Sequence, residues 1–353
     1  MRSGLVIRAL NHAAANGKTR LELSCEPRPA HPVRCNAPAG GVAINEFRPT
    51  GWTMNYGTAR AGRPLPLAAL LLLAVSFAHA GDARAATASG APGLTPLPKV
   101  ATPRLYVLDC GTLVNNKPED YGLKREEVKD TNMAVTCYLV VHPKGMLIFD
   151  TGLNDWLVGR PLYENVVEGY GQIKFNTLRG QLADIGVTPA TIDYLVTSHY
   201  HWDHVGNAGD FAGSTWLVYK GDRDQMFGKE ARTYAWFNQY AALEHSKTTI
   251  VSGDHDVFGD GTVVVIATPG HTEGHCSLLV RLKNTGPVVL SGDLYHYQEE
   301  RDLKRMPAEE RSTGTVESRQ KVEELLRRTG AQLWVGHSME FFRTVRKSPA
   351  WYD

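Results

Sequence analysis

The chain has 353 residues and a formal net charge of +1 at pH 7, so it has neither a basic field for nucleic acid nor an acidic tail. Its hydrophobic content of 42% is ordinary for a globular protein, and it contains no internal repeats. The expected partner is therefore a small molecule rather than a nucleic acid.

The N-terminal segments differ in composition from the rest of the chain. Residues 1–53 are polar and rich in Arg, Pro and Gly, and we interpret them as a disordered leader or as sequence upstream of a true start at Met54. The apolar run 65–77 and the small-x-small tripeptide at 78–80 predict that residues 54–80 are a secretory signal peptide. The apolar run is too short for a comfortable membrane span, so we expect no stable span in the mature protein. The predicted location is the periplasm or the exterior; the alternative is a short N-terminal anchor.

A linker rich in Ala, Gly, Pro and Ser covers residues 81–99, and residues 100–353 are expected to form the functional domain. Short apolar and β-branched runs predict three early strands, at residues 105–108, 134–141 and 145–149. Apolar residues at helical spacing predict two helices, near residues 178–185 and 317–328, which end at Gly186 and Gly330.

Three side chains in or directly after the early strands are candidates for specific bonds. Cys110 ends the first strand and Cys137 lies in the second, so export would permit a disulfide between them. Two buried free thiols are the alternative. Asp150 follows the third strand, and we expect its carboxylate to accept hydrogen bonds from loop amides or from a metal-binding histidine.

A dense group of metal-binding side chains follows the next predicted strand, residues 192–197. His199, His201, Asp203 and His204 fall within six residues with the spacing H-x-H-x-D-H. Imidazole and carboxylate ligands suit zinc and its neighbours, and a cluster this dense can hold two ions. A purely structural role for all four residues is the weaker alternative.

Three later strands each end in one further ligand, and two residues near them have lesser roles. We expect His275 to be structural, with orientation of a ligand or a carboxylate as the weaker alternative, and we expect Cys276 to pack in the core rather than bind metal. The strands and their ligands are residues 262–268 before His271, residues 288–290 before Asp293, and residues 332–335 before His337.

Residues 223–245, between the cluster and His271, are rich in aromatic side chains and are predicted to be helical. One interpretation is packing onto the core. The other is a hydrophobic lid or a dimer surface, which leaves a homodimer open. The aromatic residues include Phe227, Tyr234, Trp236, Phe237 and Tyr240.

These motifs together resemble the metallo-β-lactamase superfamily over about residues 104–340. The resemblance implies an α/β fold, a four-layer αβ/βα sandwich with two divalent metal ions, zinc first among them, at one edge of the two sheets. It implies that Asp293 bridges the two ions. The matching motifs are Asp150-Thr151-Gly152, the cluster from His199 to His204, Pro269-Gly270-His271-Thr272, Gly292-Asp293 and Gly336-His337. The implied ligands are His199, His201 and His271 for one ion, and Asp203, His204 and His337 for the other.

Within the superfamily, the spacing is most similar to that of the N-acyl homoserine lactonases. The ligands His204, His271, Asp293 and His337 are separated by 66 residues (205–270), 21 residues (272–292) and 43 residues (294–336). The resemblance implies ring opening of a lactone by a hydroxide shared between the metals, with Asp203 or Asp293 moving the proton. Alternatives are a hydrolase of organophosphate triesters or other esters, a β-lactamase, and a non-catalytic binding protein.

One position departs from the lactonase pattern. In those enzymes a Tyr lies three residues after the bridging Asp, and this chain has His296 there, between Tyr295 and Tyr297. We expect Tyr295 or Tyr297 to donate a hydrogen bond to the oxygen of the substrate carbonyl.

Overall fold

The computed structural model describes the backbone of residues 8–12 and 20–24, and it describes residues 99–164 and 170–353. Within these described parts, no helix is long and apolar enough to cross a membrane. The predicted signal peptide and nearly all of the predicted linker lie outside the described residues, and so does most of the leader.

The chain divides into two compact units, Met1–Arg84 and Ala85–Asp353. In the first unit, strands β1 (Arg8–His12) and β2 (Arg20–Ser24) pair antiparallel. The second unit contains all of the predicted motifs.

The larger of the two sheets in the second unit has the order β10-β9-β8-β5-β4-β3-β7-β6, and β16 pairs with β3. The strands from β5 to β10 in this order run parallel, whereas β3, β4 and β5 are antiparallel neighbours. Its strands are β3 (Arg104–Val114), β4 (Met133–His142), β5 (Gly145–Phe149), β6 (Tyr163–Glu164), β7 (Gly171–Ile173), β8 (Tyr194–Val196), β9 (Thr215–Tyr219), β10 (Thr248–Val251) and β16 (Trp351–Tyr352).

The smaller sheet has the order β11-β12-β13-β14-β15. The first four of these strands are antiparallel, and β15 runs parallel to β14. Its strands are β11 (His255–Asp256), β12 (Val263–Ala267), β13 (Cys276–Leu282), β14 (Gly286–Leu290) and β15 (Gln332–Trp334).

Alternation along the strands explains why the two sheets pack face to face. In β4, Cys137 and Leu139 point into one apolar cluster, while Tyr138 and Val140 point into the core between the sheets. Because successive side chains of a strand point to opposite faces, a strand buried on both faces is apolar at most positions, and in β4 only Thr136 and His142 are polar.

Helices cover the outer faces of both sheets. In β13, Leu278 lies in the core between the sheets and Leu279 packs outward against Val322 and Leu326 of the longest helix. The resulting order of layers, helices, sheet, sheet and helices, confirms the predicted four-layer sandwich. The helices are α1 (Leu178–Ala183), α2 (Trp202–Val205), α3 (Lys220–Phe227), α4 (Gln298–Asp302), α5 (Thr315–Thr329) and α6 (Met339–Thr344).

The two predicted helices are confirmed as α1 and α5, but the prediction for residues 223–245 is wrong after Phe227. There α3 ends, because Gly228 has extended backbone (φ −61°, ψ 163°), and the rest of the segment forms short 3-10 turns. Met226 and Tyr240 are buried in the apolar cluster on the outer face of the larger sheet. Packing onto the core is therefore the interpretation that the structure supports.

The cysteines of the early strands form a disulfide, Cys110–Cys137, between the neighbouring strands β3 and β4. This resolves the alternative in favour of a bond. Cys276 is fully buried between the sheets, where its thiol contacts the carbonyl of Thr197, in agreement with the predicted packing role.

Candidate metal centre

The predicted ligands meet at one edge of the sandwich because each follows the end of a strand. The cluster His199–His204 comes after β8 and continues into α2. His271, Asp293 and His337 come after β12, β14 and β15. The larger sheet therefore provides four of the side chains and the smaller sheet provides three.

The side chains form two groups in which one ligand atom from each residue lies within 4.8 Å of the others. The first group is His199, His201, His271 and Asp293, and the second is Asp203, His204 and His337. The second of these groups is buried, whereas His201 and His271 in the first are partly exposed. The grouping matches the two predicted sets of three ligands.

Asp293 faces both groups through different oxygen atoms. Its Oδ2 lies 3.6 Å from Nε2 of His199 and 3.6 Å from Nε2 of His271. Its Oδ1 lies 3.1 Å from Nε2 of His204 and 3.2 Å from Nε2 of His337. A carboxylate placed in this way has the geometry that a bridging ligand requires.

Hydrogen bonds on the far side of the rings of His337 and His199 aim the other ring nitrogen into the centre. Nδ1 of His337 donates to the carbonyl of Ala134 at 2.6 Å. Nδ1 of His199 lies 3.0 Å from the hydroxyl of Ser198. Such contacts select the tautomer in which Nε2 keeps its lone pair for a cation.

Asp150 holds His204 and the loop in front of it. One carboxylate oxygen accepts from the backbone N–H of Ser198 at 2.6 Å, and the other lies 2.9 Å from Nδ1 of His204. Asp150 itself has a left-handed backbone (φ +60°), which directs its side chain back across the loop. Both predicted kinds of partner, a loop amide and a histidine, are therefore confirmed.

His275 supports Asp293 through the backbone, which is the weaker of the two alternatives given for it from the sequence. Its Nε2 accepts from the backbone N–H of Asp293 at 2.9 Å, and its Nδ1 lies 2.9 Å from the carbonyl of Thr268. Gly292 must be glycine, since its φ is +54° and a Cβ would lie 2.7 Å from Nε2 of His275.

Glu310 was missed by the sequence analysis. It is 3% exposed, and its Oε1 lies 2.8 Å from Nδ1 of His271, while its Oε2 accepts from the hydroxyl of Thr315 at 3.1 Å. It lies 39 residues after His271 in the short 3-10 turn Glu309–Ser312, where no strand or helix periodicity marks it.

The two groups differ in their electrostatics. Burial lowers the pKa of His199 and of His201 well below the usual range, and neighbouring histidines add to this. For His204, burial acts in the same direction, but the carboxylates of Asp293, Asp203 and Asp150 outweigh it and the pKa is raised well above the usual value. The pKa of His337 is also raised, because the carboxylates of Asp293 and Asp203 outweigh the effect of burial.

Asp293 is ionised in this setting. Burial would raise its pKa, but the neighbouring His204, His337 and His199 outweigh that effect and hold the pKa well below the usual range. Nε2 of His199 and Oδ1 of Asp293 are buried and have no hydrogen-bond partner among the described residues. Unpartnered lone pairs on buried imidazole and carboxylate groups, one in each half of the centre, are the kind of donor that a divalent cation binds.

The expected role of Tyr295 and Tyr297 as donors to the substrate is wrong. The hydroxyl of Tyr295 donates to Glu323 on α5 at 3.2 Å, and that of Tyr297 donates to the carbonyl of Thr131 at 3.0 Å. The side chain between them, His296, turns inward and places Nε2 3.5 Å from Oδ2 of Asp293.

Aromatic rings lie beside the metal-binding cluster. Trp202 and Trp236 are half-buried and pack against the apolar cluster on the outer face of the larger sheet. The ring of Tyr170 lies 6.0 Å from that of Trp202, which directly precedes Asp203.

Comparison with known proteins agrees with this architecture. Residues 130–333 match the family described as the metallo-beta-lactamase superfamily. The N-acyl homoserine lactonase AttM of Azorhizobium caulinodans is 31% identical over 265 residues, which are 71% of this chain and 98% of that protein. An N-acyl homoserine lactonase of Bacillus thuringiensis is 25% identical over 62% of this chain and 86% of its own length.

A solved structure of an N-acyl homoserine lactone hydrolase, with the product N-hexanoyl-L-homoserine at its catalytic metal centre, has the same fold. The TM-score is 0.61 with 22% identity, and the match covers 71% of this chain and all of that one. The chain therefore belongs to the metallo-beta-lactamase superfamily. Within it, the chain is an enzyme of the hydrolase class and is similar to the N-acyl homoserine lactonases.

Proposed function

We propose that the protein is a dinuclear, zinc-dependent lactonase that opens the ring of N-acyl homoserine lactones. The observation that carries the proposal is Asp293, whose two oxygens face two separate groups of ligand side chains. The lactonase relative that aligns over 98% of its own length supports the choice of substrate.

In this proposal, His199, His201 and His271 hold one cation, Asp203, His204 and His337 hold the other, and Asp293 bridges them. When bound, the pair of cations supplies a nucleophilic hydroxide near neutral pH and polarises the carbonyl of the substrate. Imidazole and carboxylate ligands without thiolate are compatible with zinc and also with its divalent neighbours.

The protein side chains have distinct tasks in the ring opening. Asp293 has both oxygens directed at the histidine groups, so it keeps the two halves of the centre in register. Asp203 approaches the same histidines through Oδ2, 3.5 Å from His337 and 3.6 Å from His204. We assign proton transfer to the leaving alkoxide to Asp203, because both oxygens of Asp293 face ligand histidines, whereas Asp203 approaches them through Oδ2 alone.

The test uses protein spanning Ala85–Asp353, stripped with a chelator and reloaded with zinc. Metal is counted by elemental analysis, and acid release from a short-chain and a long-chain N-acyl homoserine lactone is followed in a pH-stat. Two metal ions per chain, with acid release that disappears on stripping, are expected.

The same preparation separates the alternatives. Two metal ions per chain with hydrolysis of a phosphotriester but none of the lactones would overturn the substrate and leave the centre intact. Nitrocefin turnover above lactone turnover would make the protein a β-lactamase instead. Fewer than two ions per chain at saturating zinc would contradict the dinuclear assignment itself.

We also propose that the protein is exported. The apolar run 65–77 with its small-x-small tripeptide supports this, and so does the disulfide Cys110–Cys137, since such bonds persist in oxidising compartments. The intact mass of protein recovered from a cell fraction decides the matter. In the exported fraction, the expected mass is that of a chain beginning near Gly81. An uncleaved product in the cytosol would contradict export.

A further inference from the structure

The position that departs from the lactonase pattern leaves the centre without the expected tyrosine. His296 lies three residues after Asp293, and the hydroxyls of both flanking tyrosines are bound elsewhere. A different part of the chain, the turn after β3, brings another phenol ring to the same place.

Tyr121 ends the 3-10 turn Pro118–Tyr121 and is half-buried. Its ring centroid lies 4.5 Å from that of His296, and it meets the ring of Tyr297 edge-on at 5.3 Å. The next residue, Gly122, has φ +71°, and a Cβ there would lie 2.6 Å from the carbonyl oxygen of Met306. The turn therefore packs closely against the backbone of Met306 and against the ring of His296.

His296 connects Tyr121 to the ligand histidines. Its ring is stacked parallel to that of His337 at 6.0 Å and lies 4.9 Å from the ring of His271. Glu300 fixes this arrangement, since it accepts from the backbone N–H of His296 at 2.5 Å and is itself paired with Arg319 at 2.9 Å. Tyr121 thus packs on a rigid ring that borders both groups of ligands.

The charges around the three tyrosines distinguish them. Burial raises the pKa of Tyr121 well above its usual value, and the carboxylates of Asp293 and Asp203 contribute to the shift. The pKa values of Tyr295 and Tyr297 are also raised by burial, but the carboxylates that contribute there are those of α4, α5 and the loop before β4. Of the three phenols, Tyr121 is the one whose surroundings include the carboxylates of the metal centre.

We propose that Tyr121 donates its hydroxyl hydrogen to the carbonyl oxygen of the substrate, and that His296 positions its ring for this. The inference rests on the proposed lactonase activity. The hydroxyl makes a hydrogen bond that strengthens as negative charge develops on the oxygen during attack, and no proton is transferred. Loss of one such donor lowers kcat by about 100-fold to 1,000-fold.

The test compares Tyr121→Phe with two matched controls, Tyr295→Phe and Tyr297→Phe, each of which removes one phenolic hydroxyl close to the same loop. For zinc-loaded protein, kcat and KM are measured with an N-acyl homoserine lactone and with a simple aryl ester. Metal content, thermal midpoint and the affinity for the ring-opened N-hexanoyl homoserine are measured alongside.

Tyr121→Phe should lower kcat about 100-fold with little change in KM, weaken product binding, and leave metal content and thermal midpoint unchanged. Both control variants should keep kcat within about threefold of the unchanged protein, because their hydroxyls bind protein groups. Unchanged kcat in Tyr121→Phe overturns the inference. An equal loss in all three variants, together with a lowered thermal midpoint, also overturns it, because the role would then be packing.

Failure of the proposed function gives a different pattern. If the unchanged protein hydrolyses the ester but no lactone, the substrate assignment fails, and Tyr121 is judged on the ester and on product affinity. If the unchanged protein hydrolyses neither, both proposals fail.

Discussion

Asp150→Asn should damage one half of the metal centre selectively. The carboxylate of Asp150 accepts two hydrogen bonds, one on each oxygen, from the backbone N–H of Ser198 at 2.6 Å and from Nδ1 of His204 at 2.9 Å. An amide has a single acceptor oxygen, and its NH2 group then faces a second donor. Either the loop amide loses its partner, or His204 changes tautomer and gives up the lone pair on Nε2.

The size of the effect follows from these two outcomes. A buried donor left without a partner costs about 1–3 kcal/mol of unfolding free energy. Loss of the group that orients a metal-binding histidine typically weakens metal affinity by about 10-fold to 100-fold, which is about 1.4–2.7 kcal/mol. We expect the ion held by Asp203, His204 and His337 to bind more weakly by this factor, and the other ion to be less affected.

Glu310→Gln is the matched control, because it makes the same chemical change behind the other group. Its amide oxygen can still accept from His271, and the hydroxyl of Thr315 can turn to accept from the new NH2 group, so no donor is lost. Affinities for both ions are measured by competition with a chromogenic chelator. Asp150→Asn protein that binds two ions as tightly as unchanged protein, or that weakens no more than Glu310→Gln, would refute the reasoning.

Three further predictions concern the same region. Carboxylates raise the pKa values of His204 and His337, whereas burial lowers those of His199 and His201. Metal binding at the site of His204 and His337 should therefore release more protons and weaken more as pH falls than binding at the other site. Calorimetry in two buffers of different ionisation enthalpy counts the protons, and equal release at both sites would contradict this. Burial raises the pKa of Asp222 to about 6, so its contribution to the unfolding free energy is present below about pH 4 and is lost by up to about 3 kcal/mol as pH rises through 6. Denaturation of metal-free Asp222→Asn against unchanged protein should show that difference, and parallel curves would exclude it. His201→Ala should abolish hydrolysis and lower metal content, and surviving activity would disprove the dinuclear centre.

The ligand set could be predicted from the sequence because each ligand is attached to a strong local signal. A short apolar run ends, a glycine or a polar residue follows, and a His or Asp comes next, as at Gly270-His271 and Gly336-His337. Strands whose ends meet at one edge of a sandwich bring such residues together without further information. The nearly continuous apolar run of β4 similarly marked a strand, and burial on both faces accounts for that run.

Long-range partners could not be predicted in the same way. Glu310 contacts His271, which lies 39 residues earlier in the sequence. Tyr121 contacts His296 from a turn in the N-terminal part of the domain's sequence. The side-chain directions of Tyr295 and Tyr297 could not be predicted either, since both residues flank the inward-facing His296. Their hydroxyls bind Glu323 on α5 and the carbonyl of Thr131, and only the packing of those elements decides this. In the aromatic segment, the short turns after Phe227 follow from packing rather than from helical spacing.

The division of the ligands between the two sheets has a mechanical consequence. His199 to His204 extend from the larger sheet, whereas His271, Asp293 and His337 extend from the smaller one, so any cation bound among them fastens the two sheets at their shared edge. Sliding of one sheet over the other would then require breaking coordination as well as exposing the apolar core. The chain can consequently tolerate extensive change in the loops between its ligands, since the clamp is anchored in the strands and not in those loops.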